Sequence, residues 1–390
     1  MDEKTYKLDD EYSLEVVTDI DRFHSLRSEW DNLLTNHKSH VPFLCFDWFR
    51  IWLDHFLKEN KLLILLLYKE ERVVAIAPFI ICSESFRGVI NVRKVLLTGN
   101  VHSPIRNFIF SDFSNEAREE YALLIFTFFR NHFKEWDIIE LDSIPEEYGS
   151  FEALSSVVNR AGLKNKGYFC FGDWYLDGVN CSGDEYINKL PKKVKSEIKR
   201  RKKRLEGTGN LKLEIGTDEI NFDHHMYLYY QVRTKSWKSP ENDSAFHKDI
   251  RKMAAIKGWL RCGFLFFNNT PIAAQIRLVS NKIVYFMEAL YDEEYKKFSP
   301  GTILRSELTK HFIDKDYICE IDQGRGDEPY KKDWTPNRRE RKGITVFNST
   351  IRGQSLAFLM TKVLPVIEKN RYLLSAKNKI SGYLKKHRQQ

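Results

Sequence analysis

The 390-residue chain has none of the short signatures that announce the commonest enzyme chemistries. A Walker-type phosphate loop, a dinucleotide-binding GxGxxG, an HExxH zinc helix and a GxSxG nucleophile elbow are all missing. That removes the usual nucleotide, zinc and serine-hydrolase readings. Cysteine is scarce. The six, at 45, 82, 170, 181, 262 and 319, form no CxxC pair, so neither a disulfide framework nor a metal site is expected, and the thiols read as free and buried. Long apolar runs are also lacking. The longest, Leu62 to Tyr68, is far short of the ~20 residues a membrane-spanning helix needs. The N-terminus has no charged, apolar, small-residue succession of the secretory kind. The chain is expected to be soluble and cytoplasmic.

What is present is ample for packed cores: 42% hydrophobic residues and 14% aromatic. The length favours two domains. The net charge of +8 is concentrated. Lys189 to Arg204 holds ten basic residues and one acid, and Lys362 to Arg388 holds eight and one. These two segments contribute +9 and +7, so the remainder must be acidic by about the same margin as the whole is basic. Basicity therefore belongs to two stretches that can meet RNA, an anionic membrane surface or an acidic substrate. The first lacks interleaved aromatics, which argues against sequence-specific RNA reading.

Apolar periodicity predicts helices over 20–34, 46–56, 116–133, 151–161, 222–237, 248–256 and 302–312, and strands over 13–17, 91–97, 138–141, 168–176, 211–215, 283–290 and 317–321. Two hairpins stand out. LLILLLYKEERVVAIAPFI begins at Leu62, and GFLFFNNTPIAAQIRLV begins at Gly263. In each an apolar strand meets a short polar turn, and the return strand opens on a β-branched residue followed by Ala. Ile272, Ala274, Ile276 and Leu278 alternate as a half-buried strand should. The likeness suggests two copies of one α/β unit. A turn-rich segment, Asp177 to Asp184, separates them. The expected division is 1–180, 181–350, and a basic amphipathic helical extension over 351–390.

The stretch from Ile283 to Trp334 carries the most chemistry. A strand opens through Lys296, Lys297, Ser299 and Gly301 into a helix, where Ser299 can cap and Pro300 suits the first position. The N–H groups of Gly301, Thr302 and Ile303 can hold a phosphate-bearing cofactor, with Lys296 and Lys297 adding charge. An ordinary Ser-Pro helix start is the alternative. Glu288 lies within an apolar strand, where burial would raise its carboxyl as a general base needs, or faces water from an edge. Asp322 ends the next strand and reads as a base or an orienting carboxylate. Gly324 and Gly326 permit a positive-φ turn. Tyr330 reads as a proton donor or substrate contact, Lys331 as an anion holder, and Trp334 and Trp237 as substrate contacts; the alternative is a solvated turn with Tyr330 and Trp334 packed beneath it.

Taken in order, these motifs resemble the GNAT-type acetyltransferases of the CelD/BcsL-like group, a bacterial family linked to cellulose and exopolysaccharide production. The resemblance rests on the second hairpin, the long strand, the SPG helix and DxGxGxxxYKxxW over Asp322 to Trp334. It also rests on Trp30, Leu33, Pro42-Phe43, Trp48, Trp52 and VAIAPF in the first half, and on Glu197 to Glu206 at the opening of the second. It spans roughly residues 14 to 350. It implies two tandem GNAT-like domains, related to the Fem-type peptidyltransferases that take aminoacyl groups from tRNA. It further implies transfer of an acyl group from acetyl-CoA or another acyl-CoA to an amine or hydroxyl of a glycan or small-molecule acceptor. The loop holding the CoA pyrophosphate would be Lys296 to Gly301, with one glycine where the family pattern has two and no Gln or Arg at its start. A tRNA-dependent transferase, or a scaffold that docks on a membrane-bound complex at the inner face through Lys192–Arg204 or the C-terminus, are the alternatives.

Overall fold

The computed structural model describes residues 4–35, 41–88, 90–112, 114–146, 151–217 and 219–369. The chain forms two compact units. The first holds residues 1–38, 43–170 and 341–390, and the second holds 171–340 with 39–42. Residues 341–369 thus group with the first unit. Of the expected basic C-terminal helix, residues 370–390 lie outside the described residues.

In the first unit the strands are β1 (Lys4–Lys7), β2 (Tyr12–Val17), β3 (Lys61–Lys69), β4 (Arg72–Phe86), β5 (Ile90–Leu97), β6 (Ile109–Phe110) and β7 (Ile138–Ile144). Its helices are α1 (Ile20–Ser25), α2 (Arg27–Thr35), α3 (Phe46–Phe56), α4 (Asn115–Asn131) and α5 (Phe151–Arg160). The single helix expected over 20–34 is broken at Leu26, which caps α1. Strands β1 to β5 pair antiparallel in sequence order, while β5 and β7 are parallel across the α4 crossover. One core face is apolar throughout: Leu63, Leu65, Leu67, Ala75, Ala77 and Phe79 cluster with Ile125, Phe126 and Phe129 of α4.

The second unit repeats this plan. After β8 (Lys164–Leu176) come α6 (Gly183–Lys189), α7 (Lys192–Glu206), β9 (Leu211–Gly216), α8 (Phe222–Arg233), α9 (Ser244–Ile256), β10 (Leu260–Phe267), β11 (Thr270–Ser280), β12 (Ile283–Tyr291), α10 (Pro300–Asp314) and β13 (Glu320–Arg325). β9 to β12 pair antiparallel, and β12 and β13 are parallel across α10. The sheet order is β8-β13-β12-β11-β10-β9. β14 (Asn337–Phe347), whose charged Arg338-Arg339-Glu340-Arg341 opening hid it from the apolar pattern, pairs antiparallel with β7 and adds a strand to the first unit's sheet. Two copies of one mixed α/β unit, each a sheet flanked by helices, are therefore what the paired hairpins encode.

Helices cover both faces of the second sheet. His225 of α8 stacks on Phe264. On the other face a Cβ at Gly263, the next residue along, would meet Leu308 of α10 at 2.4 Å. Alternation along β10 therefore sends α8 and α10 to opposite sides. This corrects the reading of β11 as half-buried: every residue from Pro271 to Ser280 is buried. A central strand sandwiched by helices has no solvent face. The thiols also differ from expectation, since only Cys45 and Cys262 are buried and Cys319 is exposed. Among the described residues, no helix is long and apolar enough to cross a membrane.

Candidate functional site

The register of β12 sets up the site. It pairs with β13 for only three residues, Ile283–Tyr285 against Glu320–Asp322, and then the two parallel strands part. On its other side β12 carries a bulge: Ile276 opposes Glu288 while Arg277 opposes Phe286, so Met287 is the extra residue. A bulge re-aims backbone groups, and the parted edge of β12 offers N–H and C=O groups no longer used by β13. Phe286 to Ala289 are half-buried here, unlike the buried Val284 and Tyr285 before them.

Charged groups gather on both faces of this strand. On the α8 side, Glu288 accepts from Tyr229 OH at 2.6 Å, Arg233 Nη1 at 2.7 Å, Lys238 Nζ at 3.2 Å and Arg251 Nη2 at 3.3 Å. Arg251 also binds Glu241. Burial would raise the Glu288 carboxyl, but the Tyr229 hydrogen bond and the charges of Lys238, Arg233 and Arg251 outweigh it and hold it down at about 2. The raised carboxyl expected of a general base is thus reversed, because three cations surround a group the sequence showed only among apolar neighbours.

On the α10 side lie two guanidiniums. Arg277 and Arg305 are 2% and 8% exposed. Arg277 donates to the carbonyls of Ile276 at 2.7 Å and Glu288 at 2.5 Å, and to Gln275 Oε1 at 2.6 Å. Arg305 donates to Gln323 Oε1 at 2.6 Å. Both guanidinium carbons face the Phe286 ring, 4.0 and 4.9 Å from its centre, and Arg305 also lies 4.1 Å from that of Trp334. Neither Nε–H has an acceptor, and neither side chain pairs with a carboxylate among the described residues. Burial, reinforced by Arg305, pushes Arg277 down to about 9, and burial pushes Arg305 down to about 10. Both remain cationic at neutral pH. Ring contacts return about 2 kcal/mol at a desolvated site, whereas the desolvation of each ion costs several. The pair is left with an uncompensated positive field.

The remaining expected residues divide. Ser299 precedes α10 with a left-handed φ of +48° and makes no side-chain cap. Instead its carbonyl accepts from Thr302 N and Ile303 N at 3.0 and 3.2 Å. Two of the three N–H groups expected to hold a phosphate are therefore committed, which leaves Gly301 N–H. A Cβ at Gly301 would meet only Tyr291 Cδ1, at 3.4 Å. Gln275 Nε2 donates to the Gly301 carbonyl at 2.8 Å and ties this helix start to the Arg277 network. Trp237, 51% exposed, lies 4.3 Å from the Tyr291 ring. Lys296 and Lys297 are exposed, Lys296 near Glu293 and Lys297 above Phe298.

Asp322 is buried, with Oδ1 accepting from Gly324 N at 2.7 Å and Oδ2 from Arg339 Nη2 at 2.6 Å. Gly324 and Gly326 take φ of +68° and +118° as the turn requires. Lys331 is buried beneath this turn. Its ammonium donates to the carbonyls of Gly324, Arg325 and Gly326 and pairs with Glu328 at 3.0 Å. It fastens the loop and does not face solution. Trp334 is also buried, backing Arg305, with its carbonyl accepting from Tyr186 OH at 2.6 Å. Tyr330 is 55% exposed, its ring 5.9 Å from the Arg305 guanidinium. Glu288 and Asp322 thus fall on the α8 face, and Trp334 with Arg305 on the α10 face. Sequence reasoning missed Arg277, Arg305, Gln275 and Gln323. Gln275 and Arg277 fall on the side of β11 that the alternation assigned to solvent, so no pattern marked them as buried.

On α7, Ile198 and Leu205 are buried, Lys202 pairs with Glu307 at 2.8 Å, and Arg201 donates to the Lys297 carbonyl. Lys192, Lys193, Lys199, Arg200 and Lys203 are exposed and have no partner among the described residues. Their spacing puts them on adjoining rows of one helix face.

Residues 192–332 match the family model described as acetyltransferase (GNAT) domain. This ties the second unit's sequence to the GNAT acetyltransferase superfamily. No curated protein sequence matches the chain. Among solved structures, that of FemX is similar at 11% identity with a TM-score of 0.59, over 86% of this chain and 98% of that one. L-PGS from Bacillus licheniformis matches at 11% identity and a TM-score of 0.48, over 83% and 96%. A tandem GNAT protein from the clavulanic acid biosynthesis pathway matches at 11% and 0.44, over 85% and 98%. At such identity the FemX likeness is one of fold alone.

Proposed function

We propose that the second unit is a GNAT-type acyltransferase that moves an acyl group, acetyl in the simplest case, from acyl-CoA to an amine or hydroxyl. The acceptor we favour is a sugar or cell-surface polysaccharide precursor, as in the CelD/BcsL-like group. The observation that carries this reading is the parting of β12 from β13 beside the Met287 bulge. The amides of a pantetheine arm can pair with the freed edge of β12, and an N–H at the bulge can polarise the thioester carbonyl. Gly301 N–H and the exposed Lys296 and Lys297 would meet the pyrophosphate. Trp237 on Tyr291 would offer an apolar platform beside it. The acceptor nitrogen or oxygen bonds to the acyl carbon, the C–S bond breaks, and Tyr330 gives its proton to the thiolate. Glu288, held ionised, and Asp322, with both oxygens occupied, would orient groups while the acceptor's proton leaves to water. Thiol release from acetyl-CoA in the presence of amino sugars, counted against a no-acceptor control, tests this. Release with none of them would argue against a sugar acceptor.

The α7 face supports a second reading, an aminoacyl-tRNA-dependent peptidyltransferase of the Fem kind. Arg201 of this helix donates to the Lys297 carbonyl, so a polyanion bound along α7 would lie near the start of α10. A gel shift with bulk tRNA at low salt tests it, and no shift would end the idea.

A further inference from the structure

The two charged clusters of the second unit differ in one respect. On the α8 face, Arg233 and Arg251 are answered by Glu288 and Glu241. On the α10 face, Arg277 and Arg305 come from different elements, are both at least nine-tenths buried, and meet no carboxylate among the described residues. Each keeps an unused Nε–H. Their hydrogen bonds end on neutral oxygens: two backbone carbonyls and the side-chain amides of Gln275 and Gln323. Those amides are themselves fixed, Gln275 by the Gly301 carbonyl and Gln323 by the Lys331 carbonyl and the Thr335 hydroxyl. Like charges held this close by rigid supports, with donors left over, form a receptor that lacks its anion.

We propose that Arg277 and Arg305 receive an oxyanion, a carboxylate or a phosphate, carried by the acceptor substrate. The assignment to the acceptor rests on the proposed acyl-CoA reading. In that reading the donor's phosphates sit at Gly301, and the pantetheine arm that runs along β12 is neutral. The guanidiniums lie beyond it, beside Phe286 and the bulge, where the acyl group would be delivered. The acceptor class is then an acidic small molecule, such as a sugar acid, an amino acid or a sugar phosphate. A neutral glycan would leave the pair unanswered.

The test uses the full chain and a thermal melt with inorganic phosphate, acetate, glucuronate or glucosamine 6-phosphate, against potassium chloride at equal ionic strength and against glucosamine. At least one oxyanion probe should raise the midpoint saturably by a few degrees, while chloride and glucosamine do not. Phosphate-bearing and carboxylate-bearing probes separate the two sources. Arg277→Met and Arg305→Met, each shown to be folded by a cooperative melt without ligand, should lose this response. Absence of stabilisation of the parent by every probe overturns the inference without any variant. An undiminished response in both variants overturns it as well. Acetyl-CoA affinity, measured separately, should be unchanged in Arg305→Met. If it collapses instead, the pair holds the donor and the acceptor assignment fails. If acetyl-CoA does not bind the parent but the oxyanions do, the acyl-CoA reading fails and the receptor stands.

Discussion

Arg277 donates to the main-chain carbonyl of Glu288 at 2.5 Å, yet the two charged side chains leave their strands toward opposite faces of the sheet. The carboxylate enters a nest of three cations under α8. The guanidinium lies under α10 with Arg305 and no anion. That separation puts a compensated charge cluster on one side of β12 and an uncompensated one on the other.

The compensated side makes a stability statement. The folded Glu288 carboxyl, at about 2, lies below the ~4.3 of an unfolded Glu. Its contribution is therefore fully present above the unfolded value and is lost as pH falls from about 4.5 toward 2. The size is on the order of 3 kcal/mol. Glu288→Gln should remove that pH dependence and leave Arg233 and Arg251 short of a counter-charge. A destabilisation of about 3–5 kcal/mol at neutral pH is expected, read from urea unfolding across the pH range. An unchanged acid limb would contradict it.

Lys331 should behave as a fastener. Lys331→Met removes three bonds to carbonyls and the Glu328 pair, and hydrogen bonds to charged groups are worth about 1.5–3 kcal/mol. The variant should melt lower, and hydrogen exchange at Gly324 to Gly326 should quicken. If stability holds while anion affinity falls, the ammonium faces a ligand after all.

The exposed face of α7 should matter to polyanions and not to folding. Lys199→Glu with Lys203→Glu should leave the unfolding free energy within about 0.5 kcal/mol of the parent. The salt dependence of any tRNA or heparin binding should become shallower by roughly 0.7–0.9 per charge lost. A salt slope that does not move would place the polyanion elsewhere.

Much of the architecture was legible because it rests on apolar periodicity and turn chemistry. The paired hairpins turn through left-handed residues, Glu70 in the first and Asn268 and Asn269 in the second, and each leads on to a further antiparallel strand and then a parallel one. β14 was not legible, since its charged start breaks the alternation that marks a strand. The return of residues 341–369 to the first unit leaves no local mark in the sequence. In the site, the loop glycines and the strand–helix opening were readable one by one. Which face each side chain takes was not. The Met287 bulge resets alternation along β12, so Glu288 shares a face with Tyr229 and Arg233, far away in sequence. Lys331 looked like a solution contact because its partners are main-chain carbonyls, which no sequence pattern displays, whereas Trp334 takes the packed place that was its alternative. Ser299 looked like a cap because Ser-Pro usually is one, but its left-handed backbone turns the carbonyl, not the hydroxyl, to the helix.

The measurement that bears most directly on the acyl-CoA reading is calorimetric titration of acetyl-CoA into the full chain, repeated with Gly301→Asp. The backbone tolerates a side chain there, since the added Cβ meets only Tyr291 at ordinary contact distance, so a folded variant is expected. Its carboxylate would stand against the phosphates beside the one uncommitted N–H. Saturable binding by the parent, weakened at least tenfold in the variant, is the expected result. No binding by the parent, or equal binding by both, would contradict the account.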